Sequence, residues 1–282
     1  MKTSVDPALH WTDHYVEYGF AIVQGLIGQD FIAEALDEVR RIVGNPLPFD
    51  QWTTGNVAKP LRHVPDAENN PVLRRVYDQP KLRAAIDEMF GSPDAFNNRR
   101  TFQLFVNPFD PDVPRVLTPV GHIDFVNSPV PVFGSGFMFQ VSLVDKEPFG
   151  GNITVWPGTH QLVQKCVMTD PGWQYPKNWD DIPVSAPFEF LPRAGDVLFF
   201  HHLVAHNGNP CCTRMPRISL HCQALRDEWL TEIDPATPGL SPWARSFAQN
   251  GRFKTPRDEK KIMLDYFASA KSRDQKAAMA GR

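Results

Sequence analysis

The stretch GDVLFFHHLVAHNGNPCCTRMPRISLHCQ, residues 195–223, decides the fold class. It holds two short apolar runs, DVLFFHH and RISLHCQ, with Asn, Gly and Pro between them. Runs of Val, Ile, Leu and Phe bounded by turn formers are the pattern of β-strands. Upstream, TFQLFVN, FMFQVSLV, NITVW and FEFL repeat it. Short strands at this density imply an antiparallel sandwich or barrel. The 27 prolines and 18 glycines agree with a chain of many turns.

Before residue 100 the period changes. In GQDFIAEALDEVRRIVG, residues Phe31, Ile32, Leu36, Val39 and Val43 recur at helical spacing, and Gly44 is placed to end the helix. PVLRRVYD and PKLRAAIDEMFG read as two further helices. NPLPFDQWTTGNVAKPLRHVPDAENN, between them and the first, has no period. A loop of that length in a compact domain is more often functional than idle. Helices come first and strands follow, so the expected class is a β-rich α+β fold, a β core with helical decoration. The chain reads as one domain: a helical part over about 1–100, a β core over about 101–226 and a C-terminal extension over 227–282. PRDEKKIMLDYFASAK in that extension reads as a helix.

Composition excludes several functions. Hydrophobic residues make up 42% and charged residues 22%, which supports a real core. A net charge of −3 argues against nucleic acid or a membrane surface as partner. No apolar run reaches the roughly 18 residues of a membrane span, and the opening MKTSVDPALHWTDHYVEYGF lacks the apolar run of a signal peptide. Cys166, Cys211, Cys212 and Cys222 form no C-x-x-C pair, so reduced thiols in a cytoplasmic protein are expected. Nothing in the sequence sets an oligomeric state.

TPVGHIDFVN, residues 118–127, places His122 and Asp124 two positions apart. Alone, the pair is as well explained by polar residues at a strand end. On a strand, however, residues i and i+2 share a face. A histidine nitrogen and a carboxylate oxygen on one face make two legs of a metal site, and the 2-His-1-carboxylate triad holds Fe(II) with open positions. His201, His202, His206 and His221 are the candidates for the third leg. Arg217 leads the strand that follows and shares a face with Ser219. An arginine pointing into a barrel is costly unless an anion meets it, and a carboxylate held by the guanidinium fork would meet it.

These residues carry a resemblance. YGFAIVQGLIGQDFIAEALDEV, GHIDF, VSLVDKEPFGGNITVWPGTH and GDVLFFHHLVAHNGNPCCTRMPR lie in the order of the motifs of the phytanoyl-CoA dioxygenase family of Fe(II)/2-oxoglutarate oxygenases. That family also includes ectoine hydroxylases. The eleven-residue step from His206 to Arg217 (217 − 206) resembles the family's spacing. The resemblance implies a double-stranded β-helix, the jelly roll of cupin-like proteins. It implies His122, Asp124 and His206 as iron ligands and Arg217 as anchor for the distal carboxylate of 2-oxoglutarate. Fe(II), 2-oxoglutarate and O2 are the implied cofactor and co-substrates, succinate and CO2 the products, and a small molecule the substrate. Gly208 departs from the pattern, because many members carry a hydroxyl there; Ser219 could replace it. Halogenating relatives lack the carboxylate that Asp124 supplies, so hydroxylation of an unactivated C–H is the expected outcome.

Gln103 and Asn107 alternate in phase and could reach the keto-acid end of the co-substrate, or simply bond within the sheet. His160 reads as turn structure, His201 and His202 as satisfied polar residues, and Cys211 and Cys212 as spacer. Specificity is expected from the mouth: Trp52, Lys59 and Arg62, the segment NSPVPVFGSGF, and Trp173 to Trp179. No dense basic patch awaits a coenzyme A tail, which leaves a small free metabolite. The alternatives are a metal-dependent hydrolase or isomerase on a cupin-like barrel, and a non-catalytic ligand-binding relative.

Overall fold

A computed structural model describes residues 8–57, 65–93, 102–119, 121–123, 136–169, 183–226 and 232–254. The chain starts with α1 (Trp11–Tyr18), β1 (Phe20–Val23) and α2 (Gln29–Val43). Short helices α3 (Pro65–Glu68) and α4 (Pro71–Arg74) precede α5 (Pro80–Phe90). Then come β2 (Phe102–Asn107), β3 (Gly136–Ser142), β4 (Ile153–Trp156) and α6 (Thr159–Thr169). β5 (Phe188–Glu189), β6 (Val197–Phe200), β7 (Ala205–Gly208) and β8 (Arg217–Leu225) complete the two main sheets. β9 (Glu232–Ile233), α7 (Pro242–Phe247) and β10 (Phe253–Lys254) follow.

One sheet has the order β1-β6-β3-β8-β2, with every neighbouring pair antiparallel. The second has the order β5-β4-β7. Residue alternation divides the five-stranded sheet between two cores. Leu104 and Val106, Phe137, Phe139 and Val141, Ile218, Leu220, Cys222 and Ala224 join the large core that also holds the helices. The other face turns toward the second sheet, where Phe20, Met138, Leu198 and Phe200 pack on Ile153 and Val155. β3 is buried along its whole length because both faces are covered. Gln103, Phe105 and Asn107 of β2 and Arg217, Ser219 and His221 of β8 fall on the inner face, by the period of two. This is the expected jelly roll with helices on one side.

The helices over GQDFIAEALDEVRRIV and PKLRAAIDEMF form as their spacing requires, closing at Gly44 and Gly91. PVLRRVYD divides into α4 and a 3-10 turn over Arg75–Asp78. Asn70 caps α4, its side chain accepting from the amides of Val72 and Leu73. α1, α6 and α7 are unanticipated, as is strand β7. The period-free segment corrects one expectation. Trp52 is fully buried and its indole donates to Leu47 O, so it fills the core and is absent from any mouth. α7 is secured by Ser241, which accepts from Ala244 N, and by Trp243, whose indole donates to Gly136 O and whose ring meets Phe90 edge-on. A fully buried side chain of that size contributes on the order of 2–3 kcal/mol. No helix among the described residues is long and apolar enough to cross a membrane. The helix expected over PRDEKKIMLDYFASAK lies outside them.

Candidate active site

His122 and His206 meet because their backbones pair. His122 N–H donates to His206 O at 2.9 Å, and His206 N–H donates to His122 O at 2.8 Å. This antiparallel bridge lies on the free edge of β7, whose other edge bonds to β4. Residues directly opposite on a sheet project side by side, and the two imidazole centroids are 4.5 Å apart. The preceding Gly121 makes the approach possible, since a Cβ there would lie 2.6 Å from the Trp156 ring.

The His206 ring is fixed from two sides. Its Nδ1–H donates to Val204 O at 3.1 Å, which leaves Nε2 with its lone pair. The ring stands edge-on to Phe200 at 4.9 Å. Burial pushes its pKa down to about 4, so the ring is neutral at neutral pH, the form that metal coordination requires. His122 is half-buried and faces the same cavity. Asp124, the expected carboxylate, lies outside the described residues, and among the described residues no three metal-ligating side chains come together.

A cavity of about 220 Å³ runs from this pair to Arg217. Arg217 is 5% exposed and opens β8, with Asn107 opposite it in register. Its Nη2 donates to Asn107 Oδ1 at 3.4 Å, and its guanidinium carbon is 5.5 Å from the Phe105 ring centre. Gly208 lies against the guanidinium: a Cβ there would stand 3.0 Å from Nη1. Lys146 is buried nearby, its Nζ donating to Met215 O. Burial first, and the charge of Arg217 as well, lowers its pKa to about 8. Ser219, next on the inner face, is 1% exposed, and its hydroxyl has no hydrogen-bond partner among the described residues. Like Gln103, Ser219 is absent from the cavity lining, so the expected contact with the co-substrate has no open surface behind it. The donor set therefore fits a metal at one end and a carboxylate at the other.

The structure brings His122, His206, Arg217 and Asn107 around one cavity. Gln103 is placed differently, opposite His221 and away from the cavity wall. His221 does line the cavity, between Phe105 at 5.3 Å and Phe200 at 5.4 Å. It was one of the four histidines the sequence offered as third ligand, and its four-residue step from Arg217 puts it on the same strand face. Lys59, Arg62, residues 127–135 and Trp173 to Trp179, expected at the mouth, lie outside the described residues. None of the four cysteines is in a disulfide, and Cys211 Sγ donates to Thr213 O, as a spacer would.

His160, expected in a turn, sits in the first turn of α6 and donates from Nε2 to Val16 O at 3.1 Å. His201 accepts from Leu203 N and packs on His160 and Phe247 in the large core, away from the cavity. Desolvation pushes His160 to about 4 and His202 to about 3. Unfolded histidine titrates near about 6.5. Above that pH neither state is protonated at these residues and they cost nothing. As pH falls toward 4, the unfolded chain takes up protons that the folded chain refuses, and stability is lost. At about pH 5 the loss is on the order of 1–2 kcal/mol for each residue. The melting temperature of metal-free protein is expected to fall between about pH 7 and about pH 5. His160→Gln, which keeps a donor for Val16 O, should flatten that slope; an equally steep slope in the variant would contradict the account.

The phytanoyl-CoA dioxygenase family model matches residues 15–219. Ectoine dioxygenase of Nocardia farcinica is 23% identical over 234 residues, which cover 72% of this chain and 72% of that one. The epimerase SnoN, solved with Fe3+, alpha ketoglutarate and nogalamycin RO, is 22% identical with a TM-score of 0.53, covering 77% of this chain and 82% of that one. EvdO2 of Micromonospora carbonacea var. aurantiaca, solved with 2-oxoglutarate, is 15% identical with a TM-score of 0.52, covering 85% of this chain and 97% of that one. These structures share the jelly-roll fold.

Proposed function

The chain belongs to the phytanoyl-CoA dioxygenase family, and from that premise we propose an Fe(II)- and 2-oxoglutarate-dependent oxygenase that hydroxylates a C–H bond of a small metabolite, releasing succinate and CO2. The observation that carries this reading is the single cavity with paired imidazoles at one end and a buried arginine at the other. His122, Asp124 and His206 would hold the iron. Bound there, the iron supplies the oxidation of the co-substrate by O2 and, through it, of the substrate.

The chain's own residues set the geometry. Arg217 fixes the distal carboxylate of 2-oxoglutarate through its planar fork. Asn107 holds the guanidinium from one side. Val204 O fixes the His206 tautomer. Phe105 and Ile153 give the cavity apolar walls, and Phe200 backs the His206 ring. A hydrolase on the same barrel needs a metal but has no use for a buried cation at this position, so Arg217 favours the oxygenase. Epimerisation, which leaves the oxidation state of the substrate unchanged, would use the same parts, and the product distinguishes the two.

Protein purified without oxygen and loaded with Fe(II) should consume O2 and release succinate only when 2-oxoglutarate is supplied. A panel of small metabolites, scored by succinate release, should identify the substrate. Oxygen uptake indifferent to 2-oxoglutarate would overturn the reading.

A further inference from the structure

On the inner face of β8 the period of two sets Arg217, Ser219 and His221 in a row. Arg217 and His221 line the cavity, and Ser219 between them does not. Phe105, opposite Ser219 in register, fills the interval. Its ring centre is 5.5 Å from the Arg217 guanidinium carbon and 5.3 Å from the His221 ring centre. Arg217, Phe105 and His221 therefore make one continuous wall. His221 stands at the metal end of that wall, because Phe200 meets two imidazoles edge-on, His206 at 4.9 Å and His221 at 5.4 Å. Among the described residues His221 does not join His122 and His206 in a group of three that would hold a metal. Gln103 on β2 and Gln140 on β3 lie opposite it in register, so the ring has an amide on each side. In either tautomer a neutral imidazole carries an N–H to donate.

We propose that His221 is the second anchor of the co-substrate: its ring N–H donates to the C1 carboxylate of 2-oxoglutarate, while Arg217 holds the C5 carboxylate. This rests on the 2-oxoglutarate reading above. A linear diacid with its far end on Arg217 and its 2-oxo end toward His122 and His206 runs along the Phe105 ring. The donor at the end of that wall is His221. Its partner is an anion, so the hydrogen bond is charge-assisted without protonation of the ring. Both anchors stand on one face of one strand, so the rigidity of β8 fixes the direction in which the co-substrate lies.

The test titrates 2-oxoglutarate calorimetrically into the full chain loaded with Mn(II) in the absence of oxygen. His221→Phe keeps a ring between Phe105 and Phe200 and removes the N–H. It should weaken 2-oxoglutarate by about tenfold or more. His221→Gln, which keeps a donor, should bind within about threefold of the unaltered protein. In the anaerobic Fe(II) protein, the visible absorption band of the bound 2-oxo acid should move in His221→Phe. It should stay in place in Arg217→Lys, which alters the other end. Unweakened binding in His221→Phe would overturn the inference, as would a weakening that glutamine does not relieve. A raised substrate KM with co-substrate binding unchanged would assign the ring to the substrate and overturn it too. If His221→Phe does not fold, the unaltered protein decides the matter. With Zn(II) bound, the His221 ring N–H resonance should move downfield when 2-oxoglutarate is added, and an unmoved resonance counts against the contact. If the unaltered protein binds no 2-oxoglutarate at all, the co-substrate assignment itself falls, and this inference with it.

Discussion

Replacing His206 with alanine is expected to abolish tight metal binding and all 2-oxoglutarate-dependent turnover, and His122→Ala to do the same. Each removes one of the two imidazoles that the reciprocal His122–His206 backbone bonds place 4.5 Å apart. The backbone bonds survive the substitutions, so the pairing of the strands does not depend on either ring. The two variants differ in what else they lose. His122 is half-buried and its removal touches little of the core. His206 is 4% exposed, and alanine also deletes the Nδ1–Val204 O bond and the packing on Phe200. His206→Gln keeps more of that volume and serves as its companion. Metal content after dialysis, with thermal melting to confirm folding, would measure the effect. Normal metal content with full turnover in either alanine variant would remove that histidine from the site.

Arg217→Ala is expected to weaken 2-oxoglutarate binding by about thirtyfold or more while metal content stays near normal. Truncating one side of a buried, hydrogen-bonded charge pair costs about 2–5 kcal/mol, and each 1.4 kcal/mol is about tenfold. Burial is what makes the effect large: at 5% exposure the guanidinium meets its anion without competing water. Lysine should rescue only in part, because it keeps the charge and loses the planar fork. Arg214, exposed in the preceding loop, is the control and should tolerate alanine. Calorimetric titration of 2-oxoglutarate into the anaerobic Mn(II) proteins reads the result. Unweakened binding in Arg217→Ala would mean that another group anchors the co-substrate.

The strands that were legible are those where the alternating pattern and the burial agree. FMFQVSLV, DVLFFHH and RISLHCQ each carry Phe, Leu, Ile or Val on the face that meets the large core, and each became a strand. α2 and α5 were legible for the same reason at the helical period, with glycine to stop them. β7 was not. AHNG reads as the start of a turn, since Asn and Gly disfavour strands. It is a strand because β4 on one side and His122 on the other supply its backbone partners, and neither is near in sequence. α1 and α6 carry their apolar residues mixed with His, Thr and Gln, and become buried only because they pack on one another's neighbours.

At the site, the sequence offered the His122–Asp124 pair, four histidines as further candidates and an inward arginine, and it was the resemblance to the family that chose His206 and Arg217. Which groups surround them was a matter for the tertiary structure. Asn107 and Gln103 are indistinguishable by phase, yet strand register sets one beside Arg217 and the other across from His221. Trp52 looked like a mouth residue and is core. Gly208 looked like a missing hydroxyl, and only the position of the Arg217 guanidinium shows that a side chain there would press against it. Residue identity and period act locally, so the sequence alone determined the fold class and nominated the candidate groups of the site. Register, burial and cavity shape depend on residues brought together from distant parts of the chain, and those only the folded structure could decide.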